Sequence, residues 1–163
     1  MTIRIAEHKD ITDISSVLAA SWKSAYRGII NDDYLDLLEH DHWIDFLLTG
    51  LSNETIFAMV LEDNQHIIGA AILGRKETST VHLISLYLMP DKIGQGFGHA
   101  FYDGIEAELR HRNFTKCFLD VLENNERAIR FYETHGFMET IEIIKATLGD
   151  CEYPCKVYEK WLG

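Results

Sequence analysis

Three apolar runs lie almost back to back in the middle of the chain: "TIFAMVLE", "HIIGAAILG" and "VHLISLYLM", separated only by "DNQ" and "RKETST". Links this short cannot carry a crossover helix, so each run must fold back beside its predecessor as an antiparallel neighbour. Any fold available to this chain therefore contains a three-strand meander.

The segments around the meander read as alternating elements. "TIRIA" alternates like a first strand, and Asp10 is placed to cap a helix with apolar positions Ile11, Ile14, Val17, Leu18, Trp22 and Ala25. Asn31 or Asp32 can cap a short helix "DYLDLLEH", and "HWIDFLLTG" reads as a third, ended by Gly50. After the meander, "GHAFYDGIEAELRHR" predicts a helix on Phe97, Phe101, Ile105 and Leu109. The strand "KCFLDVL" and the helix "NERAIRFYETHG" follow. Then come "METIEIIKAT", a turn at "LGDCEYP" and "CKVYEKWL", a final strand pair. The order is βααα, meander, αβαββ, which predicts an α/β (α+β) mixed sheet with helices on both faces.

Residues 1–163 are the size of one domain. No apolar run is long enough to span a membrane, and the N-terminus lacks a secretory pattern, so a cytoplasmic protein is expected. The net charge of −11 and the lack of a basic tract exclude nucleic acid as an expected partner and favour a cationic small molecule such as an amine. Cys117, Cys151 and Cys155 have neither redox nor zinc spacing and read as free thiols. "HDHW" groups His40, Asp41 and His42 without a distant fourth ligand, so no metal is expected.

The junction "PDKIGQGFGHAF" places Gly94, Gly96 and Gly98 between a strand and a helix. A helix N-terminus offers unpartnered amides and the positive end of the macrodipole, and glycine lets phosphate oxygens approach them. A tight turn with no ligand is the other reading. A P-loop would need Lys and Ser or Thr after its last glycine, but Phe97 and His99 follow Gly96 and Gly98. A Rossmann fingerprint would need Gly or Ala at position 99 and a preceding βαβ order. Neither fits.

The stretch Ile93-Gly94-Gln95-Gly96-Phe97-Gly98 resembles the Arg/Gln-x-x-Gly-x-Gly/Ala signature of the GCN5-related N-acetyltransferases (GNAT), with Ile93 in place of the usual Arg or Gln. "VLENNERAIRFYETHGF" is similar to the same family's second block through Val121, Asn125, Ala128, Tyr132, Gly136 and Phe137. The resemblance covers the strand, junction, helix, strand and helix from about residue 81 to 137, and the order of elements extends it to the whole chain. The resemblance implies a mixed, mostly antiparallel sheet of about seven strands, splayed between the fourth and fifth. It implies acetyl-CoA as cosubstrate and a primary amine of a small molecule or peptide as acceptor.

By resemblance, backbone groups of Leu86 and Leu88 pair with the pantetheine arm. The segment Ile93, Gly94, Gln95, Gly96, Phe97, Gly98 and His99 holds the pyrophosphate through its amides, with Lys92 a substitute for the missing side chain at Ile93. Asn125 binds the arm, and Tyr132 contacts it and acts as acid toward the leaving thiolate. An alkyl amine of pKa near 10.4 is neutral in only about one molecule in a few thousand at pH 7, so its proton needs an acceptor. Asp120, His82 and ordered water are the candidates. His82 is expected on one strand face with Ile84, Leu86 and Leu88.

By resemblance, Trp22, Tyr26 and Tyr34 on the N-terminal helices line the acceptor pocket, with core packing the other role open to Trp22, and the C-terminal strand pair is the surface of a homodimer. Two other functions suit the same residues: a non-catalytic acyl-CoA sensor, and a transferase with another acyl donor or an oxygen acceptor.

Overall fold

The structure, a computed structural model, describes residues 1–163. In chain order it has β1 (Thr2–Ile5), a 3-10 turn at His8–Asp10, α1 (Ile11–Ala25), α2 (Asp32–Asp36), α3 (Ile44–Ser52), β2 (Ile56–Asp63), β3 (His66–Arg75) and β4 (Thr80–Leu88). A second 3-10 turn at Pro90–Lys92 leads to α4 (Phe97–His111), β5 (Lys116–Leu122), α5 (Glu126–Thr134), β6 (Met138–Leu148) and β7 (Cys151–Trp161). One seven-stranded sheet runs β1-β2-β3-β4-β5-β7-β6, antiparallel except between β4 and β5. This is the mixed sheet expected.

The meander runs are near-continuously apolar because both faces of the sheet are covered. Alternate residues separate cleanly: Ala58 and Val60 join Ile14, Val17, Leu18 and Leu47 under α1 and α3, whereas Met59 and Leu61 join Phe101, Ile105 and Leu109 under α4. Phe97, the fourth residue of that stripe, is only partly buried against the same cluster.

Local chemistry departs from expectation at three places. Asp10 occupies the α1 cap position, but its carboxylate caps nothing in that helix. It accepts from Arg4 Nη1 at 2.7 Å and Nη2 at 3.0 Å, and from the Glu7 amide, so it ties β1 to the turn before α1. The third helix runs past Gly50 to Ser52, since Gly50 has ordinary helical φ and its missing side chain makes room for Ile56 instead. The turn expected over "LGDCEYP" contracts to Gly149 and Asp150, and β7 passes through Pro154. Proline is tolerated there because its carbonyl points beyond the end of β5, toward the Glu123 amide, and the missing N-H would point the same way.

Asn31 caps α2, accepting from Asp33 and Tyr34 amides, and all three cysteines are free, both as expected.

Candidate active site

The sheet forks at β4 and β5. Their parallel pairing covers only Thr80–His82 against Lys116–Phe118, after which the strands part. A β-bulge in β4 accompanies the parting: Ile72 faces Ser85 while its neighbour Leu73 faces Leu83, which leaves Ile84 unpaired. A bulge bends and twists its strand, and an extra residue reverses which side chains face which way. Leu86 and Leu88 therefore pack with Val81 and Leu83 on the α4 side, and Tyr87 turns to the α1 side. This corrects the expectation that His82 shares a face with Leu86 and Leu88; the parity expected from a regular strand is broken at Ile84.

At the mouth of the fork, Gly94 (φ 81°) and Gly96 (φ 85°) adopt the left-handed conformation, with nothing within 4 Å of a Cβ at either. Gly98 lets α4 start close to Phe131 and Leu88. Six consecutive amides, Gly94 through His99, find no acceptor within the chain. Gln95 faces back, donating from Nε2 to the Asp91 carbonyl at 2.7 Å, which pins the loop. The Ile93 side chain lines the adjacent cavity. The His99 ring leaves the cradle: its Nδ1 lies 2.9 Å from His135 Nε2, and burial together with His99 holds His135 below the ordinary imidazole range.

Asn125 starts α5, accepting from the Ala128 amide at 3.3 Å. Gly136 ends the helix in left-handed conformation (φ 86°), with bonds from its own amide to Glu133 and from Phe137 to Tyr132. This double bond pattern holds the last turn of α5 firmly and with it Tyr132.

Two cavities fill the fork. One, of about 180 Å³, runs from Ile93 and Gly98 past Leu86, Leu88 and Phe131. The other, of about 150 Å³, is walled by Trp22, Tyr26, Asp120, Leu122, Ala146 and Leu148. Both are lined by Leu86, Tyr87, Asn125, Ala128 and Tyr132, so Tyr132 stands where they meet. Burial, reinforced by Tyr26, Cys117 and Asp120, pushes the Tyr132 hydroxyl well above the usual phenol range, so it keeps its proton.

His82 and Asp120, separate candidates from the sequence, form one unit. His82 Nε2 lies 2.9 Å from Asp120 Oδ1, and its ring stacks on Phe118 at 4.5 Å. A carboxylate only accepts, so the imidazole donates from Nε2. Asp120 reaches the second cavity and His82 stands behind it.

Of the expected acceptor residues, Trp22 and Tyr26 line the second cavity. Tyr34 does not; its ring packs over Gly149 at the tip of the β6–β7 hairpin, 3.1 Å from where a Cβ would sit. Three residues at the site carried no motif. Ser21, buried in α1, donates from Oγ to the Leu88 carbonyl at 2.7 Å, so only the amide of Leu88 and the groups of Leu86 point into the fork without that engagement. Tyr87 shares a 2.6 Å hydroxyl contact with Tyr26. Arg127, on the first turn of α5, lines the channel beside Ile93 and is paired with no carboxylate. The missing polar side chain at Ile93 was its one available signal.

No helix is long and apolar enough to cross a membrane, and no group of three or more metal-ligating side chains occurs.

The chain matches known proteins along most of its length. Residues 17–137 match the acetyltransferase (GNAT) family. The uncharacterized N-acetyltransferase YuaI of Bacillus subtilis is 32% identical over 146 residues, covering 83% of this chain and 79% of that protein. Spermidine N(1)-acetyltransferase of Thermoplasma acidophilum is 23% identical over 140 residues, covering 83% and 86%. Among solved structures, the PaiA N-acetyltransferase of Thermoplasma acidophilum in complex with coenzyme A superposes with a TM-score of 0.75 at 21% identity, over 99% of both chains. The forked sheet, the glycine cradle at its mouth and these matches place the chain in the GCN5-related N-acetyltransferase family, as an acyltransferase.

Proposed function

We propose that the protein moves an acetyl group from acetyl-CoA to the primary amine of a small molecule or peptide by direct attack. The observation that carries this is the meeting of two cavities at Tyr132: one leads to the amide cradle, the other to a carboxylate. The cradle fits the cosubstrate, because six free amides at a helix N-terminus suit a pyrophosphate. Arg127 and Lys92 supply positive charge there in place of a side chain at Ile93. Leu86 and the Leu88 amide would pair with the pantetheine arm, and the Asn125 side-chain amide would bind it at the start of α5. Acetyl-CoA, when bound, supplies an activated thioester.

Asp120 receives the ammonium of the acceptor and takes its proton, and the Nε2–H of His82 orients that carboxylate through the bond they share. Tyr132 holds its proton at the meeting point and gives it to the departing thiolate. The exposed edge of β6, with Met138, Ile141 and Ile143, supports a homodimer.

Saturating acetyl-CoA is expected to raise the melting temperature, since a ligand that binds only the native state stabilises it. Thiol release in the presence of amines is expected to accompany it. A shift without transfer to any amine or alcohol would leave the sensor reading; no shift would remove the cofactor assignment itself.

A further inference from the structure

The second cavity carries a more specific message about the acceptor, resting on the transferase reading above. Asp120 is the one charged residue in its lining. Burial raises the hydroxyls of Tyr26, Tyr87 and Tyr132 and the thiol of Cys155, and the nearby charge of Asp120 adds to each. Apart from Ser85, Asn125 and the tyrosine hydroxyls, the side chains of the remaining wall are apolar. Tyr26, Leu122 and Cys155 are buried in one hydrophobic cluster, with Trp22, Ala146 and Leu148 packed against it.

Three rings stand together there. Trp22 lies 4.8 Å from Tyr26 and 6.4 Å from Tyr87, and Tyr26 lies 6.3 Å from Tyr87, centroid to centroid. The hydroxyls of Tyr26 and Tyr87 engage each other at 2.6 Å, so they are not set out as a row of acceptors for a second cation. The Asn31 amide donates to the Tyr153 hydroxyl at 2.9 Å, and Gly149 lies under the Tyr34 ring, which fastens the β6–β7 hairpin to the segment before α2.

One carboxylate in a cavity of about 150 Å³ walled mostly by aromatic and aliphatic side chains suits one ammonium on a compact hydrophobic body. A second ammonium would be desolvated among Leu122, Ala146 and Leu148 without a partner, which is costly. We infer that the acceptor is a small primary monoamine carrying an aromatic or branched alkyl group, in contrast to the polyamine named for the Thermoplasma relative. Asp120 reads the single charge, and the Trp22, Tyr26 and Tyr87 rings read the apolar body.

The test measures thiol release from acetyl-CoA with 2-phenylethylamine and 3-methylbutylamine against putrescine and spermidine. In parallel, calorimetry measures binding of each amine to the protein–CoA complex. The monoamines are expected to exceed the polyamines in kcat/KM and in affinity by on the order of 100-fold, the discrimination that an unpaired buried charge produces. Leu148→Glu, which adds a second carboxylate, is expected to move the preference toward putrescine. Equal or better binding of spermidine, or no monoamine binding to the complex, would overturn the inference. Monoamine binding without thiol release would support this ligand class while overturning the transferase reading.

Discussion

Single residues set the chemistry of the fork. Tyr132 is held by the capped end of α5 and pushed toward its protonated form by burial. Tyr132→Phe is expected to lower kcat by about 100-fold or more, the usual worth of a positioned proton donor, with little change in melting temperature. Full turnover in the folded variant would remove the assigned role. Arg127 belongs to a different step. Arg127→Ala is expected to raise the KM for acetyl-CoA by roughly tenfold, the loss of one charge-assisted bond, and to leave kcat intact. Tyr132, Asn125 and the glycines were legible as residues because their spacing is a local pattern. Arg127 and Ser21 were not, since their importance comes from what lies across the fork, Ile93 in one case and the Leu88 carbonyl in the other.

Elements differ in how fully their neighbours are fixed. The first two meander strands, β2 and β3, are buried on both faces, and the pairings of all three follow from short links. β6 is the opposite case, an eleven-residue strand at the edge of the sheet, paired only with β7. Its register with β7 slips between Glu139 and Ile143, and in that interval Ile141 is 100% exposed. Ile143 is 72% and Met138 73% exposed, which is unusual for an edge strand left in solvent. The protein is expected to sediment as a dimer, and the double substitution Ile141→Lys, Ile143→Lys to yield a folded monomer. A wild-type monomer across the micromolar range would count against this use of β6.

Across the whole molecule, burial of ionisable groups makes stability sensitive to alkali. Burial raises Tyr26 and Cys117 to about 12 each and pushes Tyr87 and Tyr132 well above the usual phenol range. A group whose folded-state pKa exceeds its unfolded value contributes fully below the unfolded value and loses that contribution as pH rises through the folded one. The melting temperature is therefore expected to hold up to about pH 8.5 and to fall steadily from there to pH 12. On the acid side, Arg4 beside Asp10 holds that carboxyl below its usual range, so stability is also lost as pH falls below 3.8. A melting temperature unchanged between about pH 8.5 and pH 12 would show that the fork tyrosines and Cys117 are less enclosed than their packing indicates.

The sequence by itself determined the meander, the glycine junction between strand and helix and the capped helix bearing Tyr132, because short links, helical spacing and backbone-permissive glycines act over a few residues. Only the tertiary structure decided that His82 and Asp120 form one unit and that a cavity with a single carboxylate meets the channel at Tyr132. Those facts depend on where β4 leaves β5. That point lies beside the unpaired Ile84, whose extra residue turns Leu86 to one face and Tyr87 to the other, a reversal that regular strand alternation conceals.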